Sequence, residues 1–95
     1  MSEQINIRVE KKIVQDFEEL ANYEKLDRAA LVRKVLLEGL NQERINFAIQ
    51  KYVLQEISVE RAAEIAGVSI HEFLNIMAKF GIPSNMSLED YQKVL

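Results

Sequence analysis

Ninety-five residues with a formal net charge of −3, 48% of them hydrophobic and 28% charged, make one ordinary domain or two very small ones. The lack of Cys excludes disulfides, thiolate nucleophiles and Cys-ligated zinc, and a single His excludes a His-rich metal site. No apolar run approaches the roughly 18 residues of a membrane span, and the polar start, residues 1–4, carries no export signal. The expected setting is the cytoplasm, with no membrane contact.

In chain order, the first pattern is residues 5–9. Strict alternation puts Ile5, Ile7 and Val9 on one face of a β-strand and Asn6 and Arg8 on the other. No second strand follows, and a lone strand is not stable in water. The expected partner is therefore the same strand of a second copy, paired antiparallel across a two-fold axis in a homodimer. Asn6 and Arg8 would then face outward on a two-stranded ribbon that fits the major groove of double-stranded DNA. Asn pairs with adenine N6 and N7, and Arg with guanine O6 and N7, each worth roughly 1 to 3 kcal/mol of discrimination. The competing reading is the solvent side of a strand. The missing partner strand and the two helices that follow favour base readout.

A first helix carries Ile13, Phe17, Leu20 and Ala21 as one stripe, with Gln15, Asp16, Glu18 and Glu19 on the wet side. Residues 22–26 read as a polar break with Asn22 in the left-handed region. Asp27 follows as the N-cap of a second helix. Leu31, Val32, Val35, Leu36 and Leu40 make its stripe. Leu37 widens that stripe, which points to cover on more than one side and an intersubunit core. Residues 41–43, just after Gly39, are either a linker or a bend in one long helix. Ile45, Ala48, Ile49, Tyr52 and Val53 make a third amphipathic stretch.

Ser58 opens a short helix over residues 59–66, and Gly67 stops it. Ser69 with Glu72 forms an S-x-x-E capping box for the next helix, which runs through Phe73, Leu74, Met77 and Phe80 to Gly81, with Pro83 preventing its continuation. Ser87 with Asp90 marks a last helix over residues 88–95. The exposed positions of the helix after Ser69, among them Ile70, His71, Glu72, Asn75 and Lys79, make it poorly suited to phosphate. Protein contact is the favoured role there. His71 itself reads as a surface residue at a helix start.

Charge sets a constraint on any DNA reading. The first 40 residues hold seven Lys and Arg against eight Asp and Glu, and the remainder five against seven. A nucleic-acid face must then be a local concentration of cations built where two subunits meet. Lys11, Lys12, Arg28, Arg33 and Lys34 are candidates for phosphate contact, with solvated surface as the alternative.

The order strand, helix, helix, in I-N-I-R-V, F-E-E-L-A and L-D-R-A-A-L-V-R-K-V-L, resembles the ribbon-helix-helix DNA-binding regulators, many of which are antitoxins. The resemblance covers about the first 40 residues. It implies base reading by Asn6 and Arg8 with Gln4 as a third position. It also implies a phosphate clamp at the start of the second helix, Asp27, Arg28 and Ala29. Glu10 and Ala29 stand where that family often has Pro and Ser or Thr. Residues 48–83, with A-A-E-I-A-G-V-S, then E-F and G-I-P, resemble a family of small prokaryotic antitoxin-like proteins with a helix-turn-helix-like core. That resemblance implies a toxin partner, often a PIN-domain ribonuclease.

An enzyme reading fails on supply of nucleophiles and ligands, and no Gly-rich loop is present to hold a nucleotide. No cofactor and no metal are expected. The expected fold is mainly α, a ribbon-helix-helix over residues 1–41 with one N-terminal β-strand per chain paired in a dimer, then a C-terminal helical, helix-turn-helix-like module over residues 42–95. The expected function is sequence-specific DNA binding as a transcriptional regulator, the antitoxin of a toxin pair. The alternative is a protein-interaction module, for toxin binding or oligomerisation, without specific DNA binding.

Overall fold

Among the described residues, four helices follow an extended start: α1 (Lys11–Glu24), α2 (Arg28–Val53), α3 (Val59–Ala66) and α4 (Ile70–Lys79). The computed structural model describes residues 2–82. The helix expected over residues 88–95 lies outside the described residues.

The expected N-terminal strand, and with it the ribbon of a ribbon-helix-helix fold, is not present: among the described residues there is no strand, and residues 2–10 have no regular hydrogen-bonded structure. Alternation of side chains is necessary for a strand, but only a ladder of backbone hydrogen bonds makes one. This chain offers residues 5–9 no such ladder, and Ile5 and Ile7 are 76% and 72% exposed. The mainly α composition is as expected.

The stretch at residues 41–43 resolves as the interior of one helix, since α2 runs unbroken for 26 residues. Gly39 is a weak interruption, costing about 1 kcal/mol relative to Ala. Gln42 supports the following turn by donating its side-chain amide to Asn46 Oδ1 at 2.9 Å.

Helix starts obey the side chains that precede them. Asp27 Oδ1 accepts from the Ala30 N–H at 2.7 Å, Ser58 Oγ from Arg61 N–H at 3.1 Å, and Ser69 Oγ from Glu72 N–H at 3.1 Å. Helix ends share one geometry, in which a left-handed residue turns the chain and two N–H groups reach back to the last-turn carbonyls. After α3, Gly67 (φ 75) donates to Glu64 O and Val68 to Ala63 O. After α4, Gly81 (φ 68) donates to Ala78 O and Ile82 to Met77 O. The same turn after α1 uses Lys25 (φ 59), with Leu26 donating to Ala21 O, and after α2 it uses Gln55 (φ 61), with Glu56 donating to Lys51 O. α1 therefore continues past Asn22 to Glu24, and Lys25 is its left-handed terminus.

The chain divides into two units, Met1–Leu37 and Glu38–Leu95. The second has its own core: Ala48, Tyr52, Val59, Ala62, Ala63, Ala66, Phe73, Leu74 and Met77 are all buried. Small residues on one face of α3 admit the close approach of neighbours, and the space is filled by Phe73, which is fully buried and meets Tyr52 edge-on at 5.9 Å and 83°. In the first unit only Ala21 and Leu31 are buried among the described residues. The stripes along α1 and α2 are present as read, yet Ile13, Leu20, Val32, Val35, Leu36 and Leu37 remain exposed.

These backbone assignments predict opposite signs for two Ala substitutions. A Cβ at Gly39 meets nothing within 4 Å, whereas Gly67 holds a left-handed φ with the Arg44 guanidinium 3.5 Å from its Cβ position. Gly39→Ala should raise unfolding free energy by about 0.5 to 1 kcal/mol. Gly67→Ala should lower it by about 1 to 2 kcal/mol. Urea denaturation followed by circular dichroism measures both.

Candidate functional site

Every residue singled out for nucleic-acid contact lies in the first unit. Gln4, Asn6 and Arg8 are exposed on the extended start, and Lys11 and Lys12 open α1. Asp27 caps α2, and Arg28, Ala29 and Arg33 are exposed along its first two turns. The cap has a chemical consequence at this terminus: the Ala30 N–H, one of the free donors that would hold an anion, is already taken by the Asp27 carboxylate.

The cations divide into two sets. Lys12 Nζ lies 3.3 Å from Asp16, one turn along α1. Arg28 Nη1 lies 3.0 Å from Glu18 and Lys34 Nζ 2.7 Å from Glu24, so both reach from α2 to acids of α1. Among the described residues, Arg8, Lys11, Lys25 and Arg33 form no ion pair with an acid. Exposed ion pairs of this type are worth about 0.2 to 1 kcal/mol, so the α1–α2 pairs hold their cations in place weakly.

Apolar surface lies beside these charges. Ile13, Phe17, Leu20 and Val35 line a shallow cleft of about 230 Å³. Ile7, Val9, Val14, Phe17 and Val32 line another of about 240 Å³, with Arg28 at its edge. Sequence reading places Ile13, Phe17, Leu20, Val32 and Val35 on apolar stripes facing a core and does not single out Val14. Periodicity shows that a face is apolar and does not show whether anything covers it.

The second unit contains a residue that sequence reading did not single out. Arg44 Nε donates to the Ile65 carbonyl at 2.9 Å, tying α2 to the last turn of α3. It borders an open cleft with Glu43, Phe47, Arg61, Glu64 and Ile65, in which Arg61 pairs with Glu64 at 3.3 Å. Arg44 and its acceptor are 21 positions apart, and no local pattern links them. On α4, His71, Glu72, Asn75 and Lys79 are exposed as expected, while Ile70, expected to be exposed with them, is half-buried. No described helix is long and apolar enough to cross a membrane.

Comparison with known proteins gives a single family for both units. Residues 1–94 match the Uncharacterised protein family (UPF0175). The chain belongs to the UPF0175 family. One family thus spans the two stretches that sequence reading assigned to different families, and the ribbon-helix-helix assignment of the first half has no support beside it. A UPF0175 protein of Halobacterium salinarum is 37% identical over 59 residues, covering 59% of this chain and 60% of the relative. The chain therefore spans about 60% of the length of the curated relative it matches. No solved structure matches the chain.

The ion pairs between α1 and α2 are open to direct measurement. A double-mutant cycle on Glu18→Gln and Arg28→Gln should give a coupling of less than about 1 kcal/mol that shrinks further in high salt.

Proposed function

We propose that this UPF0175 protein is a homodimeric, DNA-binding regulator of the antitoxin kind that works in the cytoplasm. Its first unit carries the dimer contact and the DNA contact, and its second unit is the part that meets a partner protein. The observation that carries the reading is the unclosed apolar surface of the first unit. Its eleven exposed large apolar residues present on the order of 1,000 Å² of side chain, against about 800 Å² per partner in a standard protein interface. A second copy is the occupant always available in proportion to the chain.

Dimerisation also supplies what the acidic composition withholds. Each copy adds Arg8, Lys11 and Arg33, which form no ion pair among the described residues, and two copies would concentrate them along one duplex. Asn6 and Arg8, with Gln4, have the donors and acceptors to read base edges. Lys11 and Arg33 suit phosphate, which sets affinity without sequence preference. A PIN-domain ribonuclease is the toxin class that the second unit would hold. No catalytic role is assigned to any residue.

A second reading, a protein-interaction module without specific DNA binding, is favoured by one observation: Arg28 and Lys34 already have acidic partners in a chain of net charge −3.

Two experiments separate these readings. In sedimentation equilibrium at low micromolar concentration the wild type should run as a dimer. Leu20→Glu with Val35→Glu, at positions exposed in one chain, should give a folded monomer; a wild-type monomer would end the dimer reading. In a gel-shift titration at two salt concentrations, DNA from upstream of the gene should bind more tightly than scrambled DNA. Arg8→Ala should remove about 1 to 3 kcal/mol of that preference. Lys11→Ala should weaken both DNAs equally and reduce the salt slope by about one. No preference for the upstream fragment at either salt leaves the interaction module as the reading.

A further inference from the structure

The second unit closes its core and, among the described residues, still leaves one face of α2 exposed. Leu40, Phe47 and Leu54 recur at seven-residue spacing, which sets them in one line along the helix. They are 56%, 44% and 58% exposed. Leu54 belongs to that line although α2 ends at Val53, because its N–H still donates to Gln50 O at 3.1 Å. Charge of both signs flanks the centre. Glu43 lies one turn before Phe47 and Lys51 one turn after it, and the Lys51 ammonium stands 5.5 Å from the centre of the Phe47 ring.

This face has the same pattern from either end. Reversed about Phe47, Leu40 takes the place of Leu54, and Glu43 takes the place of Lys51 with the opposite charge. A surface of that kind is complementary to itself across a two-fold axis, where residue i meets j and j meets i. We propose that a second copy of this chain docks here, with the two α2 helices antiparallel and crossing at Phe47. Glu43, Phe47 and Lys51 form one i, i+4 ridge, and the commonest crossing of packed helices, about 50°, aligns such a ridge with its copy. Glu43 then meets the partner's Lys51, and the rows on either side bring Leu40 and Leu54 to the margins of the contact.

The neighbouring charges fit this occupant. Glu43 forms no ion pair among the described residues. Lys51 holds Glu56 at 2.9 Å, and an ammonium with three donors can take a second acid. Arg44, the like charge nearest to an incoming Lys51, is drawn toward α3 by its bond to Ile65 O. The contact is small. Leu40, Phe47 and Leu54 expose on the order of 300 Å² per copy, against about 800 Å² per partner in a standard interface, so association through this face is weak and needs concentrated protein. It is a separate contact from the one proposed for the first unit, and two different two-fold contacts on one chain join dimers into larger assemblies.

The test follows the mass of the full chain by sedimentation equilibrium at low salt, from low micromolar to near-millimolar protein. Mass should rise above the low-micromolar species as concentration increases, and Phe47→Asp should abolish that rise. Glu43→Lys alone and Lys51→Glu alone each set like charges together twice per contact, and each should weaken the association roughly tenfold. Combined in one chain, the two substitutions exchange the partners and should restore it, because only a two-fold contact centred on Phe47 pairs these positions between copies. A mass that never rises, or a rise that Phe47→Asp leaves intact, would overturn the proposal. A double variant no tighter than the single ones would overturn it too, leaving the face to another register or another protein. Loss of the low-micromolar dimer itself in Phe47→Asp, with rescue by the charge exchange intact, would uphold this contact and end the first-unit reading instead.

Discussion

Burial of apolar surface by short helices is the constraint on which this structure depends, and the two units meet it differently. In the second unit, Ala62, Ala63 and Ala66 give α3 a face without bulk, so Phe73, Leu74 and Met77 of α4 can seat fully. A fully buried Phe is worth roughly 1.5 to 3 kcal/mol over an exposed one, and here it is reinforced by the edge-on Tyr52 ring. The first unit has the apolar residues but lacks the enclosure. α1 and the start of α2 fully bury Ala21 and Leu31 and leave most of their apolar stripes exposed.

Helix boundaries show which physical signals a sequence carries openly. Ser58, Ser69 and Asp27 were readable as N-caps because the acceptor lies on the capping residue itself. Gly67 was readable as a stop because only Gly takes a positive φ without penalty. Lys25 and Gln55 occupy the same conformation at φ 59 and 61 and were not readable. Their turns are held by backbone hydrogen bonds and by the structure around them, at a conformational cost of about 1 to 2 kcal/mol. The continuity of α2 is not legible in the sequence for a related reason. A single Gly costs too little to stop a helix, and residues 41–43 contain nothing that forbids one.

The extended start gives the opposite lesson. Ile5, Ile7 and Val9 alternate with Asn6 and Arg8 as a strand would. The pattern carries no information about hydrogen-bonded pairing, which is where the expected ribbon failed. Candidate site residues follow the same division. That Arg8, Lys11 and Arg33 are exposed cations is legible from their places off the apolar positions of their segments. That Arg28 and Lys34 are held by Glu18 and Glu24 is not, because each partner lies ten positions back on a different helix.

Those ion pairs bear on how an acidic chain can meet a polyanion. Each exposed pair is held by no more than about 1 kcal/mol, and a phosphate approaching Arg28 or Lys34 offers a comparable contact, so exchange of partners is close to neutral. The acids left behind would still repel the duplex. Any net attraction would therefore have to come from cations with no acid to release, which among the described residues of one copy are few and spread between the extended start and the first turns of α2. Counterion release scales with the number of phosphates neutralised, so doubling that small set changes affinity far more than strengthening any one contact. The apolar surface of the first unit is what would bring a second set alongside. On the proposed reading, affinity for DNA would be a property of the dimer, and the exposed apolar surface of α1 and α2 would be the physical source of both.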